Sequence, residues 1–113
     1  MSKAYELGLY EKAMPGTLTW KERLEAAKAA GYDYVEISID ATEEKIARLD
    51  MDRESRLELV KTMYETGIPI RTMCVSALTK YAIGSSDEAC CARGMAILEK
   101  SLQLADDLGI RVV

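Results

Sequence analysis

The sequence predicts an α/β fold in which a parallel sheet forms part of a (β/α) barrel, with three βα units and a fourth strand in one domain over residues 1–113. Three observations predict it. First, a helical pattern ends three times in a glycine followed at once by a short apolar strand: Gly31 before 32–37, Gly67 before 68–73 and Gly109 before 110–113. Glycine accepts the left-handed backbone that closes a helix. The glycines recur roughly every 40 residues, the length of one helix, one strand and their loops. Second, strict alternation of strand and helix implies right-handed crossovers and parallel pairing. The strand segments 35–39 and 70–75 carry few charges, as befits strands covered on both faces. Third, the first strand leads into Tyr10-Glu11-Lys12-Ala13-Met14-Pro15-Gly16, which lacks the G-x-G-x-x-G loop of a dinucleotide fold. A doubly wound sheet is the alternative topology.

Taken in order, residues 5–10 form the first expected strand and residues 19–30 the first helix, with Thr19 and Glu22 as a capping box and Leu24 and Ala27 on its inward face. The second strand spans 32–39. Residues 42–49 supply a short extra helix, and Asp52 caps a longer helix over 53–66, whose inward face is expected to carry Leu57, Val60 and Tyr64 beside Leu59 and Met63. The third strand covers 70–75. A loop of small and polar residues leads to Ser85, whose spacing to Glu88 repeats the capping-box pattern, and the last helix runs over 87–108. Its expected stripe is Cys91, Met95, Leu98, Leu102, Ala105 and Leu108. A complete barrel takes about 250 residues. The expectation is therefore half a barrel with open edges at its first and fourth strands, either a truncated chain or a homo-oligomer pairing through those edges.

Composition narrows the functional classes. The 113 residues are 49% hydrophobic and 30% charged, with a formal net charge of −4. No basic stripe appears, which argues against nucleic acid as a partner. No apolar run approaches the roughly 20 residues of a membrane span, and no leader pattern opens the chain, so a cytoplasmic protein is expected. Cys74, Cys90 and Cys91 have neither disulfide nor zinc spacing and are expected as reduced, mainly structural thiols. Histidine is absent, which removes the commonest general base.

Functional side chains of such barrels stand at the C-terminal ends of strands. Here those positions are Tyr10 and Glu11, then Glu36, Ser38 and Asp40, then Ser76 onward. Glu36 lies inside a strand, where an ionised carboxylate needs a partner. The loop 76–87 ends at a helix N-terminus, where Lys80 and Ser85 are candidates for an anion cradle, against the plainer reading of a capped helix after a flexible loop. The carboxylate pairs Glu43 and Glu44, Asp50 and Asp52, and Asp106 and Asp107 read as caps or solvated surface.

Several segments together carry a family resemblance: Gly8-Leu9-Tyr10-Glu11-Lys12-Ala13-Met14-Pro15, Trp20-x-x-Arg23-Leu24, residues 31–40, and Arg48-Leu49-Asp50, followed by Met73-Cys74-Val75-Ser76-Ala77, Ile83-Gly84-Ser85 and residues 107–113. The chain resembles the L-xylulose/L-ribulose-5-phosphate 3-epimerases of anaerobic ascorbate use, often labelled hexulose-6-phosphate isomerases. The resemblance implies the N-terminal portion of a xylose-isomerase-like TIM barrel acting on a phosphorylated ketose. The implied reaction is proton transfer beside the carbonyl with help from a divalent metal (Mn, Mg or Zn). Glu11, Glu36 and Ser76 match family positions at the barrel mouth, and together with Tyr10 from the strand-end reading and Lys80 and Ser85 from the loop reading they are the expected substrate contacts. The family's catalytic glutamates and metal ligands lie on later strands, outside this chain, so the 113 residues alone are expected to be inactive. Where the family often has a histidine after the Ser-Ala of the third strand, this sequence has Leu78. Two readings without catalysis stand beside this one: a half-barrel binding or assembly module, and a small flavodoxin-like phosphate-binding domain.

Overall fold

Thr19 begins the first helix as the sequence expects. In the computed structural model, which describes residues 3–113, its hydroxyl accepts from the Glu22 amide and the Glu22 carboxylate accepts from the Thr19 amide. This reciprocal cap satisfies two otherwise free donors and starts α1 over Trp20–Ala29. Thr42 caps α2, Glu43–Ala47, which runs on into a 3-10 turn at Arg48–Asp50. Asp52 caps α3, Arg53–Thr66, and α4 spans Glu88–Leu108. Gly31, Gly67 and Gly109 all adopt positive φ, so each of the three repeats closes as the glycine pattern requires.

The strands β1 (Gly8–Tyr10), β2 (Tyr34–Ser38) and β3 (Ile70–Cys74) form a parallel sheet in the order β1-β2-β3. The fourth strand is a single parallel bridge, Thr72 to Val112, where the Met73 amide donates to the Val112 carbonyl at 2.8 Å. The first strand is shorter than the expected 5–10. At Leu7 the Asp33 carboxylate takes the amide and the Asp33 amide takes the carbonyl, so a side chain replaces the ladder until Gly8 meets Tyr34. The third strand likewise stops at Cys74, before the turn at Ser76–Thr79.

Helices cover one face of the sheet. Val35, Ile37 and Ile39 are fully buried there with Ile70 and Met73, against Leu24 and Ala27 of α1, Leu59 and Met63 of α3, and Leu104 of α4.

Two inward stripes differ from expectation. On α3 the buried residues are Leu59, Thr62, Met63 and Thr66, while Leu57 and Tyr64 are 56% and 85% exposed. Threonine tolerates that burial because Thr62 and Thr66 donate to the carbonyls of Glu58 and Thr62, one turn back. On α4 the buried set is Gly94, Ile97, Ser101, Leu104, Ala105 and Leu108, and Met95 and Leu102 point outward. Gly94 sets that rotation. A Cβ there would lie 2.1 Å from the Tyr81 carbonyl oxygen, so only glycine lets the helix lie this close to the preceding loop. Periodicity located both helices and placed Leu59, Met63, Ala105 and Leu108 correctly inside, but it also turned Leu57, Tyr64, Met95 and Leu102 inward, where the structure exposes them.

The packing makes a distinguishing prediction for urea unfolding. Gly94→Ala is expected to destabilise the protein by about 1–3 kcal/mol through overpacking, and Leu104→Ala by about 2–5 kcal/mol. Leu102→Ala is expected to stay within about 0.5 kcal/mol of the parent. A larger loss for Leu102 than for Leu104 would restore the stripe the sequence suggested.

Candidate functional site

The face of the sheet away from the helices is polar, and strand register assembles it. Tyr10 stands beside Glu36, Glu36 beside Thr72, and Ser38 beside Cys74. Alternation sends all five side chains to the same side. The register skips Arg71 between the Val35–Ile70 and Glu36–Thr72 pairs, an irregularity that brings Thr72 level with Glu36. Without it the hydroxyl would fall on the helix-covered face.

Glu36 is half-buried and accepts a 2.7 Å hydrogen bond from the Thr72 hydroxyl. Glu36, Thr72, Tyr10, Tyr34 and Gly8 line a shallow concavity of about 140 Å³. The Tyr34 ring occupies the space a Gly8 side chain would need, since a Cβ there would lie 2.3 Å from it. Toward the C-terminal end the Tyr10 hydroxyl and Ser38 Oγ are 3.1 Å apart. Burial pushes the Tyr10 phenol up from its ordinary value, more than the Ser38 hydrogen bond pulls it down. The phenol stays protonated at neutral pH and keeps a donor. The arrangement thus offers a carboxylate acceptor, hydroxyls and two aromatic rings on one concave face, the inventory that binds a polyhydroxylated ligand.

At the rim, Lys12 pairs with Asp40 at 2.8 Å, and the Thr42 amide and hydroxyl both donate to Asp40. Burial works to raise the Asp40 pKa, but Lys12 and Thr42 outweigh it and bring it to about 2.

Glu11 is aimed away from this concavity. It is 2% exposed and is held by the Ser38 amide, by both terminal nitrogens of the Arg48 guanidinium, and by Lys45 at 3.3 Å. Arg23 approaches to 3.9 Å. Two cations stand over the Trp20 ring, Arg23 at 5.0 Å and Arg48 at 5.1 Å from its centre. Burial alone would raise the Glu11 pKa, yet the Arg48 and Ser38 hydrogen bonds and the charges of Arg48 and Lys45 hold it below the ordinary carboxylate value.

The remaining candidates are spread along the loop after β3. Ser76 opens the 3-10 turn and its carbonyl accepts from Thr79. The Lys80 ammonium lies 5.3 Å from the centre of the Tyr81 ring. Ser85 does not cap α4: its hydroxyl accepts from the Asp87 amide, and the Asp87 carboxylate takes the amides of Ala89 and Cys90. Asp87, directly before the first turn, brings a full negative charge to those donors, which a hydroxyl two residues further back does not. A carboxylate therefore occupies the place an anion cradle would need.

Sequence reasoning missed Arg48, Lys45 and Arg23 as partners of Glu11, because no local spacing links positions as many as 37 residues apart. Trp20, Arg23 and Arg48 did stand within the segments that carried the family resemblance, which was the one available signal.

A parallel (β/α) sheet with a polar concave face and a charged rim at the C-terminal strand ends is the arrangement of one sector of a (β/α) barrel. A family model described as xylose isomerase-like TIM barrel matches residues 24–113. The chain belongs to that family. It is 48% identical over all 113 residues to the L-ribulose-5-phosphate 3-epimerase UlaE of Escherichia coli O139:H28 (strain E24377A / ETEC), and equally to that of Shigella sonnei (strain Ss046), covering 40% of each. It thus spans about two-fifths of the length of these relatives. A crystal structure of D-psicose 3-epimerase in the presence of D-fructose superposes with a TM-score of 0.72 at 19% identity, over 96% of this chain and 36% of that one. That likeness establishes the fold.

The charge network predicts acid behaviour. Both carboxylates have folded pKa values below their ordinary 4.5 and 3.8, so their contribution is complete above those values. As the pH falls, Glu11's part is lost through its lowered folded pKa and Asp40's toward pH about 2. Glu11→Gln, which strands buried cations, is expected to cost about 3–5 kcal/mol at pH 7. It should also flatten the fall in urea stability between pH 5 and pH 3. Unchanged pH dependence in this variant would contradict the network's role.

Proposed function

We propose that the protein is a sugar-phosphate 3-epimerase, acting on a ketopentose 5-phosphate such as L-ribulose or L-xylulose 5-phosphate. The observation that carries this reading is 48% identity, across every residue of the chain, with enzymes of that name. The polar concave face supports it, because the acceptor and donor groups of Glu36, Thr72 and Tyr10 suit the hydroxyls of an extended sugar.

Inversion beside a carbonyl needs a base on one side of the carbon and an acid on the other. Glu36 is the only carboxylate lining the described concavity, and it is assigned to hydroxyl binding rather than to proton transfer. Tyr10, held by Ser38, orients the sugar from the first strand. Ser76 and Lys80 are proposed to meet the substrate from the loop after β3, with Lys80 facing the phosphate. Glu11 contributes by holding the strand ends, and Ser85 by ordering the start of α4. Among the described residues no three His, Cys, Asp or Glu gather in a metal-binding group. The divalent metal that the resemblance implies would take its ligands from later strands, and no step is routed through one here. With a single carboxylate at the concave face, the 113-residue chain is proposed not to turn substrate over alone.

A chimera tests both statements. This chain replaces the matching two-fifths of the E. coli relative, and exchange of the C3 proton of L-ribulose 5-phosphate is followed by NMR in D₂O. The chimera is expected to exchange it, whereas the 113-residue chain with added Mn²⁺ is not. Glu36→Gln in the chimera is expected to raise KM by about tenfold with a smaller effect on kcat, the pattern of a lost binding contact. A folded chimera without exchange sinks the epimerase reading, and turnover by the short chain sinks the second statement.

A further inference from the structure

The first turns of α4 grip the loop after β3 through contacts that the polar concave face does not use. The Cys90 thiol donates to the Lys80 carbonyl, with sulfur and oxygen 3.4 Å apart, and the Cys91 thiol donates to the Ile83 carbonyl at 2.9 Å. Between them the Tyr81 carbonyl is seated against Gly94, where a Cβ would stand 2.1 Å from its oxygen. The Arg93 guanidinium lies 4.3 Å from the centre of the Tyr81 ring. Residues 80, 81 and 83 therefore all turn a carbonyl toward one helix, and the two thiols supply the hydrogen-bond donors of the contact.

A thiol donor differs from a hydroxyl or an amide in one respect: its hydrogen is lost when the sulfur is oxidised. Both side chains are half-buried, within reach of a small molecule from solvent. In exchange with a low-molecular-weight disulfide RS–SR, the cysteine sulfur forms the new S–S bond as the old one breaks. The departing half leaves as RSH with the cysteine's proton, so the cysteine sulfur is oxidised and one sulfur of the reagent is reduced. The capped sulfur then faces a carbonyl oxygen with no hydrogen between them. Two atoms bearing lone pairs repel at the 2.9 Å of the Cys91 contact, and the added R group needs room in the same place.

We propose that Cys90 and Cys91 form a redox-sensitive latch on the loop after β3, closed as thiols and opened when a small disulfide caps them. That loop carries Lys80, so opening it weakens the hold on a substrate phosphate. This consequence rests on the sugar-phosphate reading above, whereas the latch itself does not.

Methyl methanethiosulfonate tests the latch, because it transfers S–CH₃ to a thiol, leaves as methanesulfinate, and is reversed by dithiothreitol. Capping of both residues is confirmed by mass spectrometry and amide hydrogen exchange is read by NMR. The amides of Lys80, Tyr81 and Ser85, which bond within the loop to the Ala77 and Ala82 carbonyls, are expected to exchange at least about threefold faster after capping and to recover with dithiothreitol. Amides 97–104 inside α4 are expected to keep their rates. The double variant Cys90→Ala, Cys91→Ala should reproduce the faster loop without reagent. Cys90→Ser with Cys91→Ser keeps hydroxyl donors and should stay closer to the parent, with no response to the reagent. Loop amides that hold the parent rate in the capped protein overturn the latch. So does equal acceleration through 97–104, which means that the cap loosens the whole domain. In the chimera described above, capping is expected to raise KM about threefold with little change in kcat, and the serine pair to abolish that response. An unchanged KM over a released loop overturns the regulatory consequence. A chimera without turnover overturns the epimerase reading, while loop exchange still decides the latch.

Discussion

The Glu11 carboxylate is the constraint on which the rest of the structure depends. It comes directly after the last residue of β1 and is buried beside the end of β2, where the Ser38 amide donates to it. An ionised carboxylate in that position is unfavourable unless charges and donors replace water. Arg48 and Lys45 supply them from α2 and the turn that follows it. The one interaction therefore links the end of the first strand, the end of the second and the whole excursion between β2 and α3. Arg48 also donates to the Ser38 carbonyl, so the strand end is held from both its amide and its carbonyl.

That linkage decides what the polar face can present. Glu11 follows Tyr10 directly and opens the turn after β1, so anchoring its carboxylate to Ser38 and Arg48 also holds the strand end that carries Tyr10. Ser38 takes part on both sides: its backbone serves Glu11 while its hydroxyl meets Tyr10. Two residues down each strand, Glu36 and Thr72 meet because the β2–β3 register skips Arg71. The concave face is thus ordered from behind by charge and from within by strand pairing. Its side chains are set before any ligand arrives, which lowers the ordering cost of binding.

Local signals were legible in the sequence to the residue. Thr19 with Glu22, Asp52, and the three glycines each act within one turn of chain, and the structure uses each as the sequence implies. Rotation of the helices about their own axes was not legible. The inward faces of α3 and α4 carry threonine, serine and glycine at positions that periodicity assigned to the surface, because close approach to the sheet and to Tyr81 favours small side chains over large apolar ones. Strand-end geometry exposed Tyr10, Glu36 and Ser76 as candidates, yet it could not separate the side chain facing the concavity from Glu11 facing the core. That distinction depends on Lys45 and Arg48, which only the folded chain brings to Glu11. Ser85 was mistaken for the cap of α4 for a related reason: its spacing to Glu88 fits the pattern, but the carboxylate of Asp87 is nearer to the donors.

A double-mutant cycle between Glu11 and Arg48, read as urea unfolding free energies at pH 7, tests the account most directly. Glu11→Gln, Arg48→Met and the double variant are measured beside the parent. A buried pair that ties strand ends together predicts strong non-additivity, with a coupling energy of about 2–3 kcal/mol. Single losses that add to within about 0.5 kcal/mol would contradict it, leaving the two residues as independent neighbours.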